Sequence, residues 1–198
     1  MRIGIYGGTF DPPHNGHIAA AKAAMERLAL DKLLLIPTFI PPHKALPTGA
    51  ASPTQRHDMA VLATAELGKK AEVLDVELER GGPSYTWETL HLLRERYPED
   101  ELWLLMGTDM FLSFDRWREP ENICRLAHLV VIARDECDRR AIARKASWLK
   151  QTWQAQVEIV DCPALPVSST EIRADRARCR EMVPEKVFAY ITAHQLYF

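Results

Sequence analysis

"RIGIYGGTFDPPHNGH", residues 2–17, decides the fold. An apolar strand-like run, a turn holding Gly7 and Gly8, and then His14-x-Gly16-His17 opening a helical pattern describe a strand that feeds a helix through a short loop. In a doubly wound sheet this first junction is where a phosphate rests on exposed backbone N–H groups. Both common signatures fail here. A G-x-G-x-x-G fingerprint would need glycines at Thr9 and Pro12, and a P-loop would need Lys after its last glycine, where His17 follows Gly16. The stretch offers two imidazoles instead. Three residues apart at a helix start, His14 and His17 share a face, and Gly16 lets a phosphate approach the backbone. Imidazole donors reinforced by the positive helix end would stabilise charge building on a pentacoordinate phosphorus. A single histidine near a turn is commonly a surface or capping residue; two in this context read as a site. No third ligand lies near them in sequence, so no residue is assigned to a metal.

Outward from that junction, short apolar segments alternate with helix-period segments. Residues 2–6, 33–37, 72–76, 101–106, 129–133 and 157–161 read as strands, largely without in/out alternation and so buried on both faces. Amphipathic stretches over 16–30, 53–67, 86–96 and 138–154 read as helices, with shorter turns near 109–125. Ser52, Pro53 and Gln55 make a capping box at the second helix. This alternation predicts an α/β fold: a doubly wound parallel sheet, Rossmann-like, with helices on both faces and ligands at the carboxyl ends of the strands. After the last strand "SSTEIRADRA" and "PEKVFAYITAHQLYF" turn helical. A single domain over 1–198 is expected, with 168–198 as its small helical C-terminal part. The loop "TFIPPHKALPTGAAS", 38–52, is the longest irregular stretch and reads as a lid or binding loop.

Composition narrows the function. Apolar residues at 47% and charged residues at 26% are those of an ordinary globular protein, and a net charge of −2 argues against a nucleic-acid binder held by bulk electrostatics. Cys124, Cys137, Cys162 and Cys179 form no C-x-x-C pair and read as free, packing thiols of a reducing compartment. With apolar runs too short to span a bilayer, a cytoplasmic protein is expected.

The motifs also carry a resemblance. "GGTFDPPHNGH" (7–17) resembles the H-x-G-H superfamily of nucleotidyltransferases, and "VSSTEIR" (167–173) is similar to its second signature. "PPHK" (41–44), "SYTWETL" (84–90) and "GTDMFLSFDRW" (107–117) follow in the order and spacing of the bacterial nicotinate-nucleotide adenylyltransferases. The resemblance implies transfer of AMP from ATP to nicotinate mononucleotide, giving nicotinate adenine dinucleotide and pyrophosphate, in NAD biosynthesis. Nicotinamide mononucleotide and phosphopantetheine are the alternative acceptors. It implies Mg²⁺, bound mainly through ATP phosphates and water.

The resemblance also implies roles. Gly7, Gly8, Thr9, Phe10 and Gly16 would bind ATP, and His14, His17, Lys44 and Arg173 would be catalytic. Ser168, Ser169 and Thr170 would give donors to the triphosphate; at minimum, Ser168 and Glu171 are a helix start. Arg173 is expected on the first turn, where a cation opposes the helix dipole unless an anion sits there. Gly107 and Asp109, past a strand end, would complete the ATP site through ribose hydroxyls, with a helix N-cap as the plain alternative for Asp109. Thr86, Trp87, Trp117 and Lys44 would hold nicotinate mononucleotide, by ring stacking and by N–H donors for its carboxylate; core packing is the plain alternative for the tryptophans. Arg118 stands where an aromatic residue is common in that family. The charged stretch 135–145 reads as a solvated helix face, and Phe188, Tyr190 and Tyr197 as core or subunit contact outside the site.

Overall fold

The computed structural model describes residues 1–42, 45–133, 138–163 and 165–197, together with the backbone alone of Arg176. Its elements run β1 (Arg2–Gly8), α1 (Asn15–Arg27), β2 (Lys32–Pro37), α2 (Pro53–Thr64), β3 (Ala71–Val73), α3 (Val76–Arg80), α4 (Thr86–Arg96), β4 (Glu101–Gly107), α5 (Thr108–Leu112), α6 (Pro120–Leu126), β5 (His128–Ala133), α7 (Arg139–Trp153), β6 (Val157–Asp161), α8 (Ser169–Ala174), α9 (Arg176–Met182) and α10 (Glu185–Ala193). The six strands form one sheet in the order β3-β2-β1-β4-β5-β6, every pair parallel. Strand order reverses between β1 and β4. The loops leaving the carboxyl ends of those two strands diverge to opposite faces, and the crevice between them is where such sheets take ligands.

Alternate residues of each central strand feed two separate cores, as a period of two requires. Tyr6, Leu33, Leu35, Trp103, Leu105, Val130 and Ile132 face a core closed by α1, α2 and the C-terminal helices. Ile3, Ile5, Leu34, Ile36, Leu102, Leu104, Met106, Leu129 and Val131 face a second core closed by α4, α5, α6 and α7. Burying each Leu or Ile side chain contributes about 1.5–3 kcal/mol, which explains why these strands read as continuous apolar runs. Alanine-rich α1 buries Ala20, Ala21 and Ala24, small side chains that let the helix lie close on the sheet. Ser52 caps α2, its Oγ accepting from Gln55 N–H at 3.2 Å.

Two strand readings need correction. Burial on both faces holds for the central strands and not for the edges: β3 is half-buried throughout, and β6 exposes Glu158, Ile159 and Asp161 because only one neighbour covers it. Pairing in the third strand ends at Val73, one further bond from Leu74 N–H to the Leu35 carbonyl follows at 2.9 Å, and by Val76 the chain has turned into α3. Among the described residues no helix is long and apolar enough to cross a membrane.

Candidate active site

The β1–α1 junction brings its two histidines into contact. Their ring centroids lie 3.7 Å apart at a 31° tilt, His14 buried with 4% exposure and His17 half-buried. His14 is the N-cap of α1, and its backbone N–H donates to His17 Nδ1 at 3.1 Å. His17 thus takes the reciprocal place that Glu or Gln fills in a capping box. That bond has a chemical consequence: with Nδ1 accepting, the proton of a neutral imidazole sits on Nε2, leaving a donor on the far edge of the ring. The plain reading of His17 as a capping residue and the functional reading are therefore the same geometry.

Gly16 is required by close approach. A Cβ there would meet Val167 Cγ1 at 3.0 Å and the His14 ring at 3.1 Å. Phe10 adopts φ 51°, a left-handed backbone that costs a non-glycine residue about 1–3 kcal/mol and recurs at functional turns. Its buried ring packs over Gly8 and stands edge-on to Tyr6 at 5.8 Å and His17 at 5.2 Å. The Phe10 side chain is therefore core, and its ring wedges His17 in place.

Two buried charges that the sequence reading passed over organise the loops around this junction. Arg56 of α2 is 0% exposed and donates to the carbonyls of Thr9 at 2.8 Å, Thr38 at 2.6 Å and Phe39 at 3.0 Å. It joins the glycine turn to the start of the 38–52 loop. Burial pulls its pKa down, with Asp11 opposing the shift. Asp11, 2% exposed, accepts from Ala51 N–H at 3.1 Å and from the Tyr197 hydroxyl at 2.8 Å. Phe188, Tyr190 and Tyr197 all pack against the first core, as expected, and the Tyr197 hydroxyl in addition reaches Asp11 beside the glycine turn.

The 168–173 segment docks on the same loop. Ser168 caps α8, accepting from Glu171 N–H at 3.2 Å and donating to Glu171 Oε2 at 2.8 Å, as its sequence predicts. Ser169 Oγ donates to the Pro12 carbonyl at 3.0 Å. Arg173 Nη1 donates to the Asp11 carbonyl at 2.6 Å, and Nη2 to Thr170 Oγ1 at 3.3 Å. Only six residues long, α8 carries Arg173 in its last turn and not its first. The dipole favours a cation there, so that argument for a bound anion falls away. What remains is position: the guanidinium sits on the loop that carries His14 and His17.

Across the crevice, β4 ends at Gly107. Gly7 and Gly107, at the carboxyl ends of β1 and β4, face open space, with nothing within 4 Å of a Cβ built on either. Asp109 lies at the second position of α5 with Gly107 as N-cap, so the capping alternative for Asp109 is not realised, and its exposed carboxylate faces solvent. Gly107 has φ −75° and ψ 167°, a backbone any residue adopts. Gly107→Val should therefore melt like the parent; if ATP lies across this strand end, as the resemblance implies, the branched side chain should raise its KM by about tenfold, roughly 1.4 kcal/mol of lost backbone approach. A melting scan beside steady-state kinetics checks both halves.

The remaining expected residues collect at α4. Its N-cap, Tyr85, gives no side-chain cap, and the Thr86 and Trp87 N–H groups precede the first N–H that donates within the helix, that of Glu88 to the Tyr85 carbonyl at 3.1 Å. Arg118 stacks its guanidinium 4.6 Å over the Tyr85 ring, drawing the Trp117–Arg118 segment to this helix start. Trp117 packs 5.4 Å from Phe114, and both Trp87 and Trp117 rest partly buried on the second core, so the packing alternative holds for part of each ring. Trp87 Nε1 is buried with no hydrogen-bond partner among the described residues. Phe39 N–H donates to Ser84 Oγ at 2.8 Å and Ser84 N–H to the Ile40 carbonyl at 2.9 Å, tying the 38–52 loop to the approach of α4. Behind them Glu77, 5% exposed, accepts from Thr89 at 2.6 Å, and burial raises its pKa against that bond.

Lys44, with His43 beside it, lies outside the described residues, as does Cys137. Cys124 and Cys179 are free thiols and Cys162 is buried; burial, aided by Glu121, pushes the Cys124 thiol up to about 12, so it stays protonated and packs. In the 135–145 stretch, Arg139 pairs with Asp161 at 2.8 Å and Lys145 with Asp115. Among the described residues no three His, Cys, Asp or Glu side chains converge as a metal cage.

Comparison with known proteins gives the family and the fold. The cytidylyltransferase-like family model matches residues 5–175. A Dictyoglomus thermophilum protein described as "Probable nicotinate-nucleotide adenylyltransferase" is 40% identical over 203 residues, covering 100% of each chain. One of the same description from Desulfitobacterium hafniense is 38% identical, covering 99% of this chain and 95% of its own. In fold, the Plasmodium falciparum nicotinic acid mononucleotide adenylyltransferase complexed with NaAD superposes with a TM-score of 0.78 at 20% identity, over 99% of this chain and 97% of that one.

Proposed function

Because the chain belongs to the nicotinate-nucleotide adenylyltransferases of the cytidylyltransferase-like family, we propose that its β1–β4 crevice joins ATP to nicotinate mononucleotide, forming nicotinate adenine dinucleotide and releasing pyrophosphate. The observation that carries the site assignment is the close, tilted His14–His17 ring pair beside the loop that Arg173 grips through the Asp11 carbonyl.

The acceptor's phosphate attacks the α-phosphorus of ATP in line. It is already an anion at neutral pH, so the reaction needs no strong general base and catalysis is positioning and charge neutralisation. His17, with Nε2 as donor, and His14 beside it stabilise charge on the α-phosphoryl oxygens at the N-terminus of α1. Gly7, Gly8, Thr9, Phe10 and Gly16 supply backbone, and Gly107 and Asp109 take the nucleoside. Arg173, with Ser168, Ser169 and Thr170, draws charge toward the departing pyrophosphate; Lys44 joins it on sequence position alone. The donors at the junction are imidazole, hydroxyl and N–H groups, which suit phosphate oxygens rather than a hard cation. Mg²⁺ therefore enters as part of the ATP substrate, on phosphate oxygens and water.

Thr86 and Trp87 N–H groups at the start of α4 receive the nicotinate carboxylate, with Trp117 against the ring. The Arg118 guanidinium adds positive charge beside them and favours the acid over the amide. Being exposed, it is screened, so Arg118→Gln is expected to lower the ratio of nicotinate to nicotinamide mononucleotide turnover by only about two- to fivefold. Paired rate measurements on the two mononucleotides check this.

Incubating the protein with ATP, Mg²⁺ and each acceptor tests the whole reading. Pyrophosphate release is expected with nicotinate mononucleotide. Release with phosphopantetheine alone would overturn it.

A further inference from the structure

We propose that Asp11 is a positioning residue for the transfer reaction: it holds the Arg173 guanidinium at the phosphate loop and makes that placement depend on how Ala51 and Tyr197 are seated. The proposal rests on the reading of Arg173 given above.

Carboxylates are almost never this buried unless paired, and removing one partner of a buried pair leaves an uncompensated charge. Asp11 meets three segments distant in sequence. Its Oδ1 accepts from Ala51 N–H at 3.1 Å, at the end of the 38–52 loop, and from the Tyr197 hydroxyl at 2.8 Å, beyond α10. Its Oδ2 faces Arg173 Nη1 at 3.6 Å, beyond direct hydrogen-bond reach, while Nη1 donates to the Asp11 carbonyl at 2.6 Å. No hydrogen bond reaches Oδ2 among the described residues. The guanidinium is thus attracted by a buried charge without spending its fork on that carboxylate, and its remaining N–H donors stay available to phosphate oxygens. Burial first, and then Asp11 itself, hold the Tyr197 phenol well above its ordinary pKa, so it remains a donor across any working pH. Two neutral donors on Oδ1 fix the plane of the carboxylate, and that plane sets where Arg173 rests.

The test is a kinetic double-mutant cycle on the full chain with ATP and nicotinate mononucleotide. Arg173→Ala alone should lower kcat/KM for ATP by about a hundredfold. Asp11→Asn keeps the Oδ1 acceptor and removes the charge; it should raise the KM for ATP about tenfold and lower kcat, with the KM for the acceptor little changed. Placed on Arg173→Ala, it should do nothing further. Tyr197→Phe, which removes one hydroxyl, should follow the same pattern more weakly and carries the test should Asp11→Asn not fold. A full Asp11→Asn or Tyr197→Phe penalty persisting on Arg173→Ala would show a merely structural role and overturn the proposal. So would parent-like kinetics in both single variants beside an impaired Arg173→Ala. If Arg173→Ala itself matches the parent, the reading of Arg173 fails first and this inference goes with it.

Discussion

His17→Ala is expected to lower kcat by about 10²–10³, the usual consequence of deleting one preorganised donor to a developing oxyanion. The side chain has two jobs, and the structure separates them. Its Nδ1 accepts the His14 N–H at 3.1 Å, a capping bond whose loss costs about 0.5–2 kcal/mol. Against a total stability of about 5–15 kcal/mol the fold survives that, with a melting point lowered by a few degrees. In the proposed mechanism its Nε2 donor is what turnover needs. His17→Gln distinguishes the two, because Gln at this position completes an ordinary capping box: its melting point should recover toward the parent while kcat stays low. Circular dichroism melts beside pyrophosphate-release rates give both numbers, and near-parent kcat in His17→Ala would sink the phosphoryl role.

Arg56→Met should produce the largest loss of stability, about 3–5 kcal/mol. Methionine fills much of the same volume, so the cavity contribution is small and the lost hydrogen bonds dominate. Three carbonyls, those of Thr9, Thr38 and Phe39, lose a charged donor, and each buried acceptor left unsatisfied costs about 1–3 kcal/mol. Part of this is offset because the guanidinium no longer has to be desolvated, the effect that lowers its pKa in the fold. At about 2–4 °C per kcal/mol for a chain of this size, the melting point should fall by roughly 10 °C or more. A variant melting within two or three degrees of the parent would mean that water replaces the guanidinium at those carbonyls.

Much of the fold was legible because burial writes itself into the strands. Central strands covered on both faces must be apolar at successive positions, so β1, β2, β4 and β5 stand out as runs such as Leu33–Ile36 and Leu129–Ala133. The edges were less legible for the same reason: β3 and β6 lose cover on one side, and the third run passes into α3 without any glycine or proline to mark the change. α8 shows a different limit. Its cap was plain in Ser168 and Glu171, yet its length was not, and with the length went the dipole argument for Arg173.

The same division runs through the site. Local chemistry is written in consecutive residues, so the amino-acid order alone determined the strand-to-helix junction, the two imidazoles one helical turn apart, the glycine between them and the cap of the second signature. None of these needs a distant partner. Arg56, Asp11 and Tyr197 carry no such mark: an arginine inside an amphipathic helix, an aspartate before a proline and a tyrosine in an aromatic tail each resemble residues that do nothing in particular. Their meaning comes from contacts across intervals as long as 186 residues, from Asp11 to Tyr197. Only the parallel sheet, by stacking β1 beside β2 and β4 and folding the C-terminal helices back onto α1 and α2, puts those charges where one buried carboxylate and one buried guanidinium can hold the glycine turn, the 38–52 loop and the C-terminal segment together.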